Sequence, residues 1–132
     1  MDIAVASGRR PKLGGAMNTY RVAERYSADL GGRFDTDGDY SGQDFRDRHL
    51  MDLAKAAITE KHILTINFDG CSGLPTSFSE EAFGGLARAL PNFSRDEFEA
   101  YIKLEAPSTP KLWAYINFAR DAMLGNASPR KH

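Results

Sequence analysis

Cysteine is nearly absent from this sequence: Cys71 is the only one among 132 residues. A single cysteine cannot form an internal disulfide bond, and no cluster of cysteine and histidine accompanies it. A disulfide-stabilised secreted scaffold and a zinc site are therefore both unsupported. No apolar run approaches the roughly 20 residues that span a bilayer. The apolar stretch within residues 1–6 is too short for a signal peptide. These absences predict a cytoplasmic protein.

The chain also lacks an excess of charge of either sign. Lys and Arg number 17 and Asp and Glu number 18, which gives a formal net charge of −1. This balance provides no general attraction to nucleic acid or to an anionic membrane, so we expect neither as a partner. Hydrophobic residues make up 42% and charged residues 27%, a composition typical of a globular domain with one core.

The hydrophobic pattern changes repeatedly between strand and helix periodicity. Alternation predicts strands at 20–26, 62–68 and 101–106, and a short apolar stretch within the first six residues predicts a further strand. Helical spacing predicts helices that follow Ser41, Ser77 and Thr109, and a shorter helical turn that begins at Ser94.

This order of elements predicts an α/β fold with parallel strand pairs. We expect one domain with a mixed sheet of about four strands, covered by three or four helices. Residues 1–18 are expected to form a short strand and a flexible segment, 19–125 the domain, and 126–132 a disordered tail.

Four oxygen-bearing side chains alternate through the loop before the first long helix: Asp35, Asp37, Asp39 and Ser41. This spacing imitates the start of an EF-hand calcium loop. The sixth position, which should be glycine, is Tyr40, and the twelfth, which should be a bidentate glutamate, is Arg46. We therefore interpret the loop as a solvated acidic turn before a helix that Ser41 caps, and we expect no metal site.

The segment that begins at Asp69 links the clearest predicted strand to the next helix. In open α/β sheets, ligands and partners tend to bind here, beyond the carboxyl ends of the strands. Ser77 and Glu80 have the spacing of a capping box, so Ser77 is expected to cap the helix. The hydroxyls of Thr76, Ser77 and Ser79 also lie where a phosphate would meet free N–H groups. A capping serine and a modified serine are compatible interpretations.

Motifs of catalysis and nucleotide binding are missing from the sequence. It contains no G-x-x-x-x-G-K-[ST], G-x-G-x-x-G or G-x-S-x-G pattern. No catalytic motif places a histidine or an acid beside Cys71, which we expect to be a small buried side chain. His49 and His62 are expected to be structural. We predict no catalytic residue and no cofactor. The aromatic residues of the last helix are expected to pack in the core or at its rim: Trp113, Tyr115 and Phe118.

Two stretches resemble the bacterial STAS-like domain family of unknown function. They are GGRFDTDGDYSGQDFR at residues 31–46 and ILTINFDGCSGLPTSFSEEAFGGL at residues 63–86. The resemblance extends over roughly residues 19–124 and implies a STAS-like fold. This family is distantly similar to STAS domains such as anti-sigma-factor antagonists, in which a partner kinase phosphorylates the second serine of Asp-Ser-Ser-Gly. That motif aligns with Pro75-Thr76-Ser77-Phe78, so the resemblance implies Ser77 as the matching serine, with the aspartate and glycine replaced.

Our leading hypothesis is a non-enzymatic signalling or regulatory module that binds a protein partner, such as an ATPase-type kinase or another regulator. The alternative is binding of a small anionic ligand or nucleotide at the same helix start, with Arg33 and Arg46 as counter-charges. The candidate residues for partner binding or phosphorylation are Ser77, Thr76, Ser79 and Asp69. The candidates in the preceding loop are Arg33, Asp37, Ser41 and Arg46.

Overall fold

The computed structural model describes residues 18–129, and three short parallel strands lie at its centre. They are β1 (Asn18–Arg21), β2 (Leu64–Asn67) and β3 (Ile102–Glu105), in the spatial order β1-β2-β3. The register places Tyr20 beside Ile66 and Ile66 beside Leu104. Because side chains alternate along a strand, these residues share one face of the sheet. Every residue of the central strand β2 is buried.

Five helices surround or flank this sheet in the described residues. The first, α1, is a single turn at Val22–Arg25. Two longer helices each contain a π-helical turn. In α2 the segments are Gly42–Phe45, Arg46–Leu50 (the π turn) and Met51–Glu60. In α3 they are Thr76–Ser79, Glu80–Gly84 (the π turn) and Gly85–Ala89. The last two helices are α4 at Arg95–Tyr101 and, after a 3-10 turn at Pro110–Leu112, α5 at Trp113–Asn126.

Side-chain caps fix the starts of two helices, at the positions where the sequence predicts that these helices begin. Ser41 Oγ accepts a hydrogen bond of 3.0 Å from Asp44 N at the start of α2. Ser94 and Glu97 form a reciprocal capping box at the start of α4. Both caps satisfy N–H groups that have no partner within the helix.

The core is built around five fully buried phenylalanines: Phe45, Phe68, Phe78, Phe83 and Phe98. The rings of Phe45 and Phe78 join α2 to α3 at a centroid distance of 5.8 Å. The rings of Phe68 and Phe83 join the end of β2 to α3 at 6.1 Å. These contacts hold α3 against both the sheet and α2.

Four expectations about the architecture differ in their outcome. The α/β class is correct, but the described residues contain three strands, all parallel, so a mixed sheet of about four strands is not confirmed.

The strand predicted at 20–26 ends at Arg21, because the residues from Val22 form the turn α1; Glu24 interrupts the alternation there. The strand expected within residues 1–6 lies outside the described residues. Of the tail expected at 126–132, residues to 129 are described, and Ser128 Oγ donates to Pro91 O at 2.7 Å.

Candidate functional site

The loops that follow the three strands meet at one edge of the sheet, because all three strands run parallel. Asp69 ties two of these loops together. Its Oδ1 accepts hydrogen bonds from Ser108 N at 2.8 Å and from Thr109 Oγ1 at 3.1 Å. Asp69, predicted as a partner-binding residue, therefore has a structural bond to the loop after β3.

Asn67, which sequence reasoning missed, lies at the end of β2 and connects it to β3 and to the loop that follows β2. It is buried, its Nδ2 donates to Glu105 Oε2 at 2.9 Å, and its Oδ1 accepts from Asp69 N at 2.9 Å. An amide side chain inside a strand predicted to be buried was the available signal, since buried polar side chains are nearly always hydrogen-bonded.

Cys71 and Ser72 attach the loop after β2 to the loop after α1. Ser72 N donates to Ala28 O at 2.8 Å, and Ser72 Oγ donates to Asp29 Oδ1 at 2.8 Å. Cys71 is buried, as expected, and burial raises the pKa of its thiol to about 11. The thiol is therefore protonated at neutral pH and is a poor nucleophile.

The first turn of α3 differs from the prediction in one respect. The helix begins at Thr76 with Pro75 at the N-cap position, and no side chain caps it. Ser77 is therefore the second helical residue, and the predicted capping box between Ser77 and Glu80 is wrong. Glu80 instead binds two arginines, Arg33 and Arg88.

The three hydroxyls of this turn have different surroundings. Thr76 is exposed and Ser77 is half-buried, and neither side chain is hydrogen-bonded to another described residue. Ser79 is fully buried, and its Oγ has no partner among the described residues. Of the predicted hydroxyls, Thr76 and Ser77 are therefore accessible to solvent, whereas Ser79 is buried.

In the acidic loop before α2, the carboxylates of Asp35 and Asp37 accept hydrogen bonds from groups of the same segment. Asp35 Oδ1 accepts from Ser41 Oγ at 2.8 Å, and Asp37 Oδ2 accepts from Phe34 N at 2.9 Å. Asp37 and Ser41, both predicted as loop candidates, therefore shape the loop and the start of α2. Within residues 18–129, no group of three or more His, Cys, Asp or Glu side chains is placed to share a metal ion.

Arg33 and Arg46 converge on α3. Arg46 Nη1 donates to Glu81 Oε2 at 2.6 Å and to Glu81 O at 3.0 Å, and both side chains are only 14% exposed. Arg33 Nη1 binds Glu80 at 2.5 Å and lies 3.5 Å from Glu81. Arg88 Nη1 binds the other oxygen of Glu80 at 2.6 Å. We name these five residues the Arg–Glu network.

Electrostatics within the Arg–Glu network favour the charged forms. Hydrogen bonds from Arg88 and then Arg33 lower the pKa of Glu80, although burial opposes this. The hydrogen bond to Glu80 raises the pKa of Arg33. Burial disfavours the charge on Arg46, but hydrogen bonds to Glu81 and Asp47 outweigh it and raise its pKa. The two arginines expected to neutralise a bound anion are thus already paired with carboxylates.

A groove of about 490 Å³ runs beside the first turn of α3. Its walls are formed by residues 72–75, just before the helix, and by Lys111, Leu112 and Tyr115. Trp113, Tyr115 and Phe118 are exposed by 53%, 47% and 41%, so they are more open than the core or rim position expected of them. Of the three, Tyr115 lines this groove.

His49 lies away from the groove, in an aromatic cluster on α2. Its Nδ1 is 3.2 Å from Tyr20 OH, and burial lowers its pKa. Burial also raises the pKa of Tyr20 to about 12. Tyr26 OH donates to Asp44 Oδ2 at 2.6 Å nearby. These contacts fit the structural role expected of His49.

Residues 41–111, more than half of the chain, match the model of the STAS-like domain of unknown function (DUF4325). The chain belongs to this family. The resemblance inferred from the two glycine-rich stretches is thereby confirmed. No curated protein and no solved structure matches the chain.

The STAS-like match extends from the cap of α2 to the turn before α5. It includes Ser77, Glu80, Glu81, Arg46 and most of the groove, whereas Arg33 and Tyr115 lie outside it. Among the described residues of this STAS-like domain, no helix is both long and apolar enough to cross a membrane.

Proposed function

We propose that this STAS-like domain is a regulatory module that binds a protein partner through the first turn of α3 and the adjacent groove. We define this docking face as Thr76, Ser77, the 72–75 segment, Lys111 and Tyr115. The observation that carries the proposal is the placement of Ser77: it lies in the first turn of a long helix, half-buried, with its hydroxyl free of a capping role.

We further propose that phosphorylation of Ser77 regulates docking. A phosphoserine carries about two negative charges. Pro75 provides no side-chain cap, so the first N–H groups of α3 can interact with this charge, and the helix dipole favours it. The helix should therefore persist while the docking face changes its charge.

The Arg–Glu network supports this assignment. Glu80 and Glu81 lie three and four residues after Ser77, so the three side chains share one side of the helix. Two bare carboxylates would repel a phosphate, but Arg33 and Arg46 compensate their charge.

A non-enzymatic role agrees with the burial and the protonation of Cys71, the residue considered as a nucleophile. The Cys71 thiol is buried with a raised pKa, and a reactive cysteine needs a thiolate. We propose a cytoplasmic location, since an unpaired cysteine suits a reducing compartment. The partner is proposed to be an ATPase-type kinase or another regulator, on the basis of the family resemblance.

The alternative, an anionic ligand or nucleotide at the same helix start, has less support because its counter-charges Arg33 and Arg46 are engaged by glutamates. A thermal-shift screen with nucleotides and inorganic phosphate separates the two. A concentration-dependent rise in melting temperature without any protein partner would favour the ligand.

Mass spectrometry of the protein isolated from its native cells tests the phosphorylation. We expect a phosphopeptide with the phosphate on Ser77, which Ser77→Ala abolishes and Thr76→Ala retains. Equal phosphate on wild type and Ser77→Ala would exclude Ser77 as the acceptor. Phosphate lost only with Thr76→Ala would transfer the role to that residue.

A further inference from the structure

The outer edge of β3 presents a defined set of backbone groups. Glu105 O accepts from Phe68 N at 2.9 Å, which fixes the ladder with β2. In a strand, the N–H and C=O of one residue point to the same side, and this side alternates along the chain. Lys103 and Glu105 therefore bond to β2, whereas Ile102, Leu104 and Ala106 direct their backbone groups away from the sheet.

Some of these outward groups are already bonded within the chain. Ile102 N donates to Phe98 O. Ala106 O accepts from Trp113 Nε1 at 2.7 Å and from Thr109 N at 3.1 Å. Four groups have no partner within residues 18–129: the C=O of Ile102, the N–H and C=O of Leu104, and the N–H of Ala106. An open strand edge of this kind is a template for pairing with another strand.

We propose that a second copy of this chain pairs with β3, antiparallel, about a two-fold axis at Leu104. In this register the two copies of Leu104 exchange both of their backbone hydrogen bonds. Ala106 N–H donates to Ile102 C=O of the second copy, and the symmetry repeats this bond. All four groups that lack a partner within the described residues are then satisfied. In this register Ile102 N–H and Ala106 C=O face each other, so Phe98 O and the Trp113 indole, which occupy these two groups, must shift outwards for the outer bonds to form.

The charges of the side chains fit the same register. Lys103 of one copy lies opposite Glu105 of the other, and symmetry produces this pair twice. Opposite charges directly across an antiparallel pair stabilise it, and like charges destabilise it. A lysine on an edge strand normally discourages pairing. Here Glu105, two residues later, makes the edge complementary to itself.

The opposite face of the strand is apolar. Leu104, which is half-buried, and Trp113, which is 53% exposed, line a groove of about 350 Å³ with Ile116. The second copy's Leu104 would cover this groove. Backbone, charge and apolar surface thus favour one occupant in one register, and this contact lies apart from the docking face around Ser77.

Sedimentation velocity over a concentration series up to about 1 mM tests the proposal. We expect wild type to form a reversible dimer. Lys103→Glu and Glu105→Lys should each weaken it by about tenfold or more, because like charges then lie opposite each other. A 1:1 mixture of the two variants should restore the dimer, since every introduced charge then faces its opposite. Lys55→Glu, an exposed change on α2, should dimerise like wild type.

Thermal melts of each variant control for folding, because Glu105 also accepts from Asn67 Nδ2 and Lys103 Nζ donates to Glu99 O. A second measurement needs no variant: carbodiimide cross-linking of a mixture of isotope-labelled and unlabelled wild type. Cross-links between Lys103 and Glu105 that carry one label from each chain are expected. A wild type that stays monomeric, folded variants that dimerise as wild type does, or cross-links confined to single chains would each overturn the proposal.

Discussion

The guanidinium of Arg46 lies directly against Gly85, and a Cβ on this glycine would be 2.5 Å from Nη1. The same nitrogen donates to Glu81 at 2.6 Å. Glycine in a helix interior costs about 1 kcal/mol relative to alanine. In α3 the missing side chain of Gly85 leaves room for Arg46 of α2. Through its bond to Glu81, Arg46 connects the π-helical turns of the two helices.

Gly85→Ala should therefore destabilise the protein. The added methyl group displaces Arg46 from Glu81, and we expect the free energy of unfolding to fall by about 1–3 kcal/mol. Gly125→Ala is the matched control, because nothing lies within 4 Å of its Cβ position in α5. There the better helix propensity should raise stability by up to about 1 kcal/mol. Denaturant unfolding with equal stability for the two variants would contradict this role of Gly85.

Two carboxylates bind Arg46, and they should differ in their contribution to stability. Glu81→Gln removes a partner whose side chain is 14% exposed and leaves a buried cation poorly compensated, so we expect a loss of about 1–3 kcal/mol. Asp47→Asn removes a partner that is 51% exposed, for which about 0–1 kcal/mol is expected. If urea denaturation ranks the two variants in the reverse order, the Arg46–Glu81 pair is not the main contact.

Acidification should weaken the Arg–Glu network in a defined direction. The pKa of Glu80 is lowered from its ordinary value of 4.5, chiefly by Arg88 and Arg33. A carboxyl with a lowered pKa contributes stability above its unfolded pKa, and this contribution is lost as the pH falls through the folded pKa. The difference in unfolding free energy between wild type and Glu80→Gln should therefore be largest above pH 4.5 and shrink below it. A difference that does not change with pH would show that the charge of Glu80 is not responsible.

Two buried serines provide a comparison of satisfied and unsatisfied hydroxyls. Ser41 caps α2 and also donates to Asp35, so Ser41→Ala should cost about 1 kcal/mol. The Oγ of Ser79 has no partner among the described residues, so its removal sacrifices no hydrogen bond. Ser79→Ala should be neutral or slightly stabilising. Thermal unfolding of both variants measures this difference in stability. A large loss of stability with Ser79→Ala would show that Ser79 makes a hydrogen bond in solution.

Local patterns were sufficient to predict much of the fold. The strands expected at 62–68 and 101–106 appear as Leu64–Asn67 and Ile102–Glu105. The cap of α2 at Ser41 and the helix start at Ser94 are correct, because the residues that make a cap are close in sequence. The start of α3 was misplaced, since Thr76 and Ser77 both suit a helix N-terminus and only packing selects between them.

The Arg–Glu network could not be predicted, because its members are distant in sequence. Arg46 and Glu81 are 35 residues apart, and Arg33 and Glu80 are 47 apart. The one local signal was the Gly84-Gly85 pair inside a predicted helix, where glycine usually marks a close approach. The burial of Ser79 likewise depends on how α3 packs, and a hydroxyl pattern alone does not reveal it.

Affinity capture from native cells, quantified by mass spectrometry, tests the docking face most directly. Three baits are compared: wild type, Tyr115→Ala in the groove, and Phe118→Ala on the same helix but outside the groove. We predict a partner, an ATPase-type kinase or another regulator, that wild type and Phe118→Ala retain and Tyr115→Ala loses. A partner retained equally by all three folded baits would contradict the claim that the groove beside Ser77 is where this domain binds.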